Sequence, residues 1–149
     1  MDRTVKQILV AEDNAADVRL IRETLSAQEL IYELQILTNG EEALEFLDRL
    51  DADGVISCPD LLLLDLHLPR RNGQEVLGRL RASQRCGHVP VIVLSGSAPP
   101  ERPDRPRKGA WLEYLRKPSD LAQLMLLGLR IKQVLELPLP VVGDCEGAA

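Results

Sequence analysis

The chain has 149 residues, 45% of them apolar and 28% charged, and a net charge of −5. That suffices for one domain with a sizeable core, and it argues against a general nucleic-acid binder, which needs a basic face for phosphates. Aromatics make up only 3%, so the core must be built from Leu, Ile and Val, and no uninterrupted apolar run approaches a membrane span. The first apolar run, Ile8 to Ala11, is too short for a secretory signal and leads straight into Glu12 and Asp13. Cys58, Cys86 and Cys145 are odd in number and lack C-x-x-C spacing. We expect neither a disulfide framework nor a zinc site from them, and a reducing cytoplasm as the setting. The basic stretches Arg70–Arg71 and Arg102 through Lys108 read as solvated surface.

Short apolar runs alternate with amphipathic stretches. Ile8 to Ala11 is a buried-strand candidate, followed by a helix over Asn14 to Gln28. Asn14 can cap that helix, with Asp17 at its third position in a near-capping-box arrangement. Glu33 to Thr38 predicts a second strand with Leu34 and Ile36 on one side. Asn39-Gly40 turns the chain into a second helix, with Ala43, Leu44 and Leu47 at helical spacing. Asp51 to Pro59 is a loop marked by Gly54, Ser57 and Pro59. Leu61 to Leu66 is the strongest strand signal, apolar on both faces. A loop over Pro69 to Gly73 and a third helix over Gln74 to Ser83 follow. Val89 to Leu94 predicts a fourth strand and Trp111 to Arg116 a fifth. Between them Pro99, Pro100, Pro103 and Pro106 occupy the place of a fourth helix, so an irregular element is expected there. Ser119 to Glu136 predicts the last helix, capped by Ser119. Its stripe of Leu121, Leu124, Met125, Gly128 and Ile131 is expected to face the core. Leu126, Leu127 and Leu129 leave it apolar around much of its circumference, so a homodimer contact through this final helix is open. We expect one domain over 1–137 and a flexible tail over 138–149.

Strands alternating with helices predict an α/β fold, a parallel sheet with helices on both faces and right-handed crossovers. In such sheets ligands bind beyond the carboxyl ends of the strands. Glu12 and Asp13 end the first strand, Asp65 the third, Ser95 the fourth and Lys117 the fifth, so all five should converge at one edge. A carboxylate ending a run as apolar as Leu61 to Leu64 is costly unless partnered or hydrated. Clustered carboxylates invite a hard divalent cation, and magnesium takes oxygen ligands. Asp65 could then attack phosphorus while the metal and Lys117 neutralise the transferring group, with the Ser95 hydroxyl donating to a phosphate oxygen.

Together these residues resemble the receiver domains of two-component signalling. The resemblance rests on Glu12-Asp13-Asn14, Asp65 with Pro69 and Asn72-Gly73, Ser95-Gly96, and Lys117-Pro118, in order on matching strands, and it covers roughly Gln7 to Leu137. It implies a flavodoxin-like doubly wound sheet of order 2-1-3-4-5. It implies that Asp65 is the phosphoacceptor and that Glu12, Asp13, Asp65 and the backbone carbonyl of His67 hold Mg2+. Ser95 becomes the switch hydroxyl, Lys117 the phosphate contact and Tyr114 the switch aromatic. The family often has a cis peptide before the proline that Pro118 matches, whereas sequence alone favours trans. The implied partners are a histidine kinase and an unidentified downstream protein or phosphotransfer partner, with no nucleic acid and no membrane. Few residues follow Glu136, so we expect a stand-alone regulator that acts by protein contact. The loop near Asp51–Cys58 and the apolar last helix resemble the small receivers paired with bacterial phytochromes. Such a protein is a phosphoacceptor switch rather than an enzyme.

Singly, each residue has an ordinary reading. Glu12-Asp13 could merely favour a helix start, Ser95 could sit in a turn, Lys117 could be a solvated charge and Tyr114 plain packing. His67 reads as an exposed loop residue rather than a ligand through its ring. Two other functions compete. Phosphatases of the haloacid-dehalogenase type need a second Asp two residues after the nucleophile, where this chain has His67. A phosphorylation-independent interaction module would not need the acid cluster, Ser95 and Lys117 together.

Overall fold

The two-faced apolar runs pair as the central strands of one parallel sheet. The computed structural model describes residues 5–96 and 112–136. The strands are β1 (Lys6–Ala11), β2 (Tyr32–Leu37), β3 (Leu61–Asp65), β4 (Val91–Ser95) and β5 (Leu112–Arg116). The helices are α1 (Ala15–Ala27), α2 (Gly40–Ala52), α3 (Gly73–Ala82) and α4 (Leu121–Glu136). The sheet order is β2-β1-β3-β4-β5 and every pairing is parallel, as expected. The proline-rich place of the irregular fourth helix, Trp111 and the tail lie outside the described residues.

Strand alternation divides the core into two layers. Leu62, Leu64, Val91 and Val93 meet Leu47, Leu50, Val76 and Leu80 under α2 and α3. Leu61, Leu63, Ile92 and Leu94 meet Ile21, Leu25, Leu127 and Ile131 under α1 and α4. Leu61 to Leu64 are at most 1% exposed, and each such side chain contributes roughly 1.5–3 kcal/mol by burial. A charge at Leu63 would break the centre of the sheet.

Three helices start on asparagine. Asn14 accepts from the Ala16 and Asp17 amides, Asn39 from Glu42, and Asn72 from Glu75, whose carboxylate in turn accepts from the Asn72 amide. The last helix corrects the expected cap. The Gln123 amide donates to Asp120 Oδ1 at 2.8 Å, while Ser119 instead donates to the Gln123 side chain. Its expected core stripe is also corrected. Leu121 and Met125 are exposed, and the buried face is Leu127, Gly128, Ile131, Val134 and Leu135. The cause is the approach of α1. A Cβ on Gly128 would lie 2.5 Å from Thr24 Oγ1, and that hydroxyl donates to the Leu124 carbonyl at 2.7 Å. The α1 contact therefore selects which apolar side of α4 is covered.

The expectation that the cysteines form no disulfide is overturned. Cys58 and Cys86 form a disulfide, with Cα atoms 5.6 Å apart. Cys58 precedes β3 and Cys86 precedes β4. These strands are neighbours, so two loops remote in sequence meet at the foot of the sheet.

Candidate phosphoryl-acceptor site

The strand order reverses between β1 and β3: β2 lies on one side of β1, and β3, β4 and β5 lie on the other. The crevice of a doubly wound sheet opens at such a switch point. Glu12 follows β1 there and is held by its amide, which donates to the Leu37 carbonyl at 2.9 Å. Asp65 ends β3 and Ser95 ends β4. The Lys117 amide donates to the Ser95 carbonyl at 2.7 Å, which carries the fifth-strand end to the same edge.

Glu12, Asp13 and Asp65 each present an oxygen within 4.8 Å of the others. Glu12 and Asp65 are buried, at 2% and 4% exposure, and Asp13 is exposed. Lys117 Nζ lies 3.2 Å from Glu12, 3.1 Å from Asp65 and 2.7 Å from Asp17. Three carboxylates thus share one ammonium. Burial and the Asp65 charge push Glu12 up to about 7, against the Asn14 amide and the Lys117 charge, which act to lower it. For Lys117, burial acts downward, but the hydrogen bond to Asp17 and the charges of Glu12 and Asp65 outweigh it and hold the ammonium above its usual value.

An octahedral magnesium shell, with oxygens at about 2.1 Å, spans roughly 4 Å between opposite ligands. The three carboxylates fit that scale and supply the hard oxygens it requires. The raised Glu12, lifted first by burial and then by the Asp65 charge, is a carboxylate whose ionised form a cation would stabilise.

Asp17 was not singled out as a site residue. An acid in the first turn of a helix has an ordinary explanation in the helix dipole, and this masked its role. Its side chain makes the shortest of the three Lys117 contacts. His67 is exposed as expected, and its amide donates to Asp65 Oδ1 at 2.9 Å. The 66–73 loop is pulled tight beneath Asp65. A Cβ on Gly73 would lie 2.7 Å from the Asp65 carbonyl oxygen. Ser95 is buried at 6% exposure. Tyr114 lies half-buried against the layer under α2 and α3, paired with Val93 and so one residue below the level of Asp65. The Lys117–Pro118 peptide is trans.

Residues 8–127 match the family model described as the response regulator receiver domain. The chain belongs to that family. This receiver is 39% identical over 92 residues to the response regulator Rcp1 of Synechocystis, a match covering 62% of the chain and 63% of Rcp1. The chain therefore spans less than two thirds of that relative's length in this match. The phosphorylated cyanobacterial phytochrome response regulator RcpA superposes with a TM-score of 0.76 at 32% identity, covering 93% of this chain and all of that one. The Mn2+-bound form of Rcp1 superposes with a TM-score of 0.70 at 31% identity, covering 91% of this receiver and 99% of that chain. Receiver domains are switches of two-component signalling, and the acidic cluster here is compatible with the Mg2+ or Mn2+ that such pockets bind.

Proposed function

We propose that this receiver is a stand-alone response regulator, one domain over 1–137, that takes a phosphoryl group from a histidine kinase onto Asp65 and signals by protein contact. The observation that carries this reading is the meeting of Lys117 with Asp65 inside the acid cluster at the switch point. In the transfer an Asp65 oxygen attacks phosphorus. The phosphorus–nitrogen bond to the kinase histidine breaks, and its electron pair leaves on the imidazole nitrogen, which then takes a proton. Glu12, Asp13, Asp65 and the His67 carbonyl would hold Mg2+, whose charge offsets that of the phosphoryl oxygens. Lys117 turns from Asp17 toward the new phosphate, and the Ser95 hydroxyl donates to one of its oxygens. Tyr114, on the strand leading to Lys117, carries the change outward.

A bacterial phytochrome as cognate kinase is supported by the likeness to RcpA, a phytochrome response regulator by name. A homodimer through α4 is supported by Leu121, Met125, Leu126 and Leu129, which stand exposed along it. Cytoplasmic location accords with a kinase partner. Among the described residues no helix is long and apolar enough to cross a membrane.

With Mg2+ and a small acyl-phosphate donor, the protein should gain one acid-labile phosphate, and Asp65→Asn should abolish it. Undiminished labelling of Asp65→Asn in a mass spectrum would refute the assignment. Turnover of a small phosphate ester would favour a hydrolase instead. Sedimentation before and after phosphorylation tests the dimer, and unchanged sedimentation of a pure monomer would remove it.

A further inference from the structure

The disulfide lies at the opposite end of the sheet from Asp65, and its two halves are held very differently. Cys86 is fixed. Its amide donates to the buried Ser83 Oγ at 2.9 Å, its carbonyl accepts from Val89 at 3.1 Å, and it is 0% exposed. Arg81 clamps the same loop through the Gly87 and Val89 carbonyls, at 3.2 and 2.8 Å. A Cβ on Gly87 would lie 2.6 Å from the Ser83 carbonyl oxygen, so this loop closes tightly on itself. Cys58 is only partly buried, in a loop without regular structure. Arg85 reaches across to the carbonyls of Leu50, Asp53 and Ile56, and the chain is pinned again at Asp60 by its paired bonds with Gln7. Among the described residues, the disulfide tethers the stretch between Ile56 and Asp60, where Cys58 also packs against the core.

That tethered stretch is also a wall. Ile56, Ser57 and Pro59 close one side of a cavity of about 480 Å³, whose other sides include Leu9, Phe46 and Arg49. The layout is that of a loop on a removable staple. Cys58 is the partly exposed half of the bond, and Cys86 is sealed in the core.

We propose that Cys58 and Cys86 form a reversible thiol–disulfide exchange site, opened by a dithiol reductant that attacks at Cys58, whose closure sets the 56–60 wall of this cavity. A reductant thiolate attacks Cys58 Sγ. The bond to Cys86 breaks, and its electron pair leaves on the Cys86 sulfur, which takes a proton. The second thiolate of the reductant then displaces Cys58 from the mixed disulfide. The protein gains two thiols and the reductant becomes a disulfide. Oxidation by a low-molecular-weight disulfide runs the same steps backwards, and a mixed disulfide forms first on Cys58. The site is independent of phosphorylation at Asp65.

The test uses the full chain in native buffer. Peptide mapping of the oxidised protein should recover the Cys58–Cys86 cross-link. Dithiothreitol should open it without denaturant, oxidised glutathione should restore it, and amide exchange at Val55 through Cys58 should rise several-fold in the reduced form. Cys86→Ser should trap glutathione on Cys58. In Cys58→Ser, Cys86 should resist alkylation until the protein is unfolded. Because Cys86→Ser alters a sealed site and could fail to fold, Cys58→Ser and the wild-type exchange data stand on their own. Free thiols at both positions after oxidation, a bond that opens only in denaturant, or native alkylation of Cys86 in Cys58→Ser would each overturn the proposal. Unchanged exchange at Val55 through Cys58 would overturn the wall-setting role.

Discussion

The two ends of the sheet handle charge in opposite ways. At the carboxyl end, Glu12, Asp17 and Asp65 meet one lysine, Asp13 stands beside Glu12 and Asp65, and burial and the Asp65 charge raise Glu12. At the amino end, Arg79 bonds Asp48 and Asp51 at 2.9 and 2.8 Å, Ser83 donates to Asp51 at 2.5 Å, and Arg85 caps loop carbonyls. There the Ser83 and Arg79 hydrogen bonds hold the Asp51 carboxyl below its ordinary range. Unbalanced charge is stored at the end proposed to receive a phosphoryl group and a cation, and matched charge closes the end that holds helices and strands together. Stability should accordingly respond with opposite signs at the two ends.

The largest effect should come from the staple. Its cysteines are 28 residues apart, and on loop-closure entropy alone such a bridge contributes about 3–4 kcal/mol. Denaturant unfolding with and without reductant should differ by about that much, while the rate of Asp65 phosphorylation stays the same. A phosphorylation rate that falls on reduction would show the ends to be coupled rather than separate.

Next is the pH response of Glu12. Its carboxyl rises from 4.5 to about 7 in the folded protein. Between those values the folded state binds more protons than the unfolded state, so this group makes stability fall as pH rises through that window. In metal-free protein the stability difference between Glu12→Gln and wild type should widen in the variant's favour by about 1–3 kcal/mol from pH 4.5 to 7. A difference that stays flat with pH would contradict the crowded-carboxylate account.

The smallest effect sharpens the contrast most directly. Asp13→Asn should raise the stability of metal-free protein, by no more than about 1 kcal/mol for so exposed a charge, and should weaken Mg2+ binding. Asp51→Asn should lower the melting midpoint and leave Mg2+ binding unchanged. Two shifts of the same sign would dissolve the comparison.

The parallel sheet and the strand-end placement of Glu12, Asp65, Ser95 and Lys117 were legible in the chain, and the sheet order followed from the resemblance to receiver domains. Runs such as Leu61 to Leu64 must be covered on both faces, and strands alternating with helices can satisfy that in few ways. The asparagine cap at Asn14 was legible too, because capping is local. Legibility stopped where a partner came from far along the chain. Asp17 resembled any acid at a helix start until Lys117, a hundred residues later, met it. The side of α4 that is buried depended on Thr24, and so could not be told from a helix apolar on several sides. The Cys58–Cys86 bond has no spacing signature, because its sulfurs meet only when β3 and β4 lie side by side. Periodicity and capping are set within a few residues and so belong to the sequence itself. Which carboxylate finds the lysine, which leucines stay exposed and which cysteines touch are set by the packing of distant segments, and only the tertiary structure decides them.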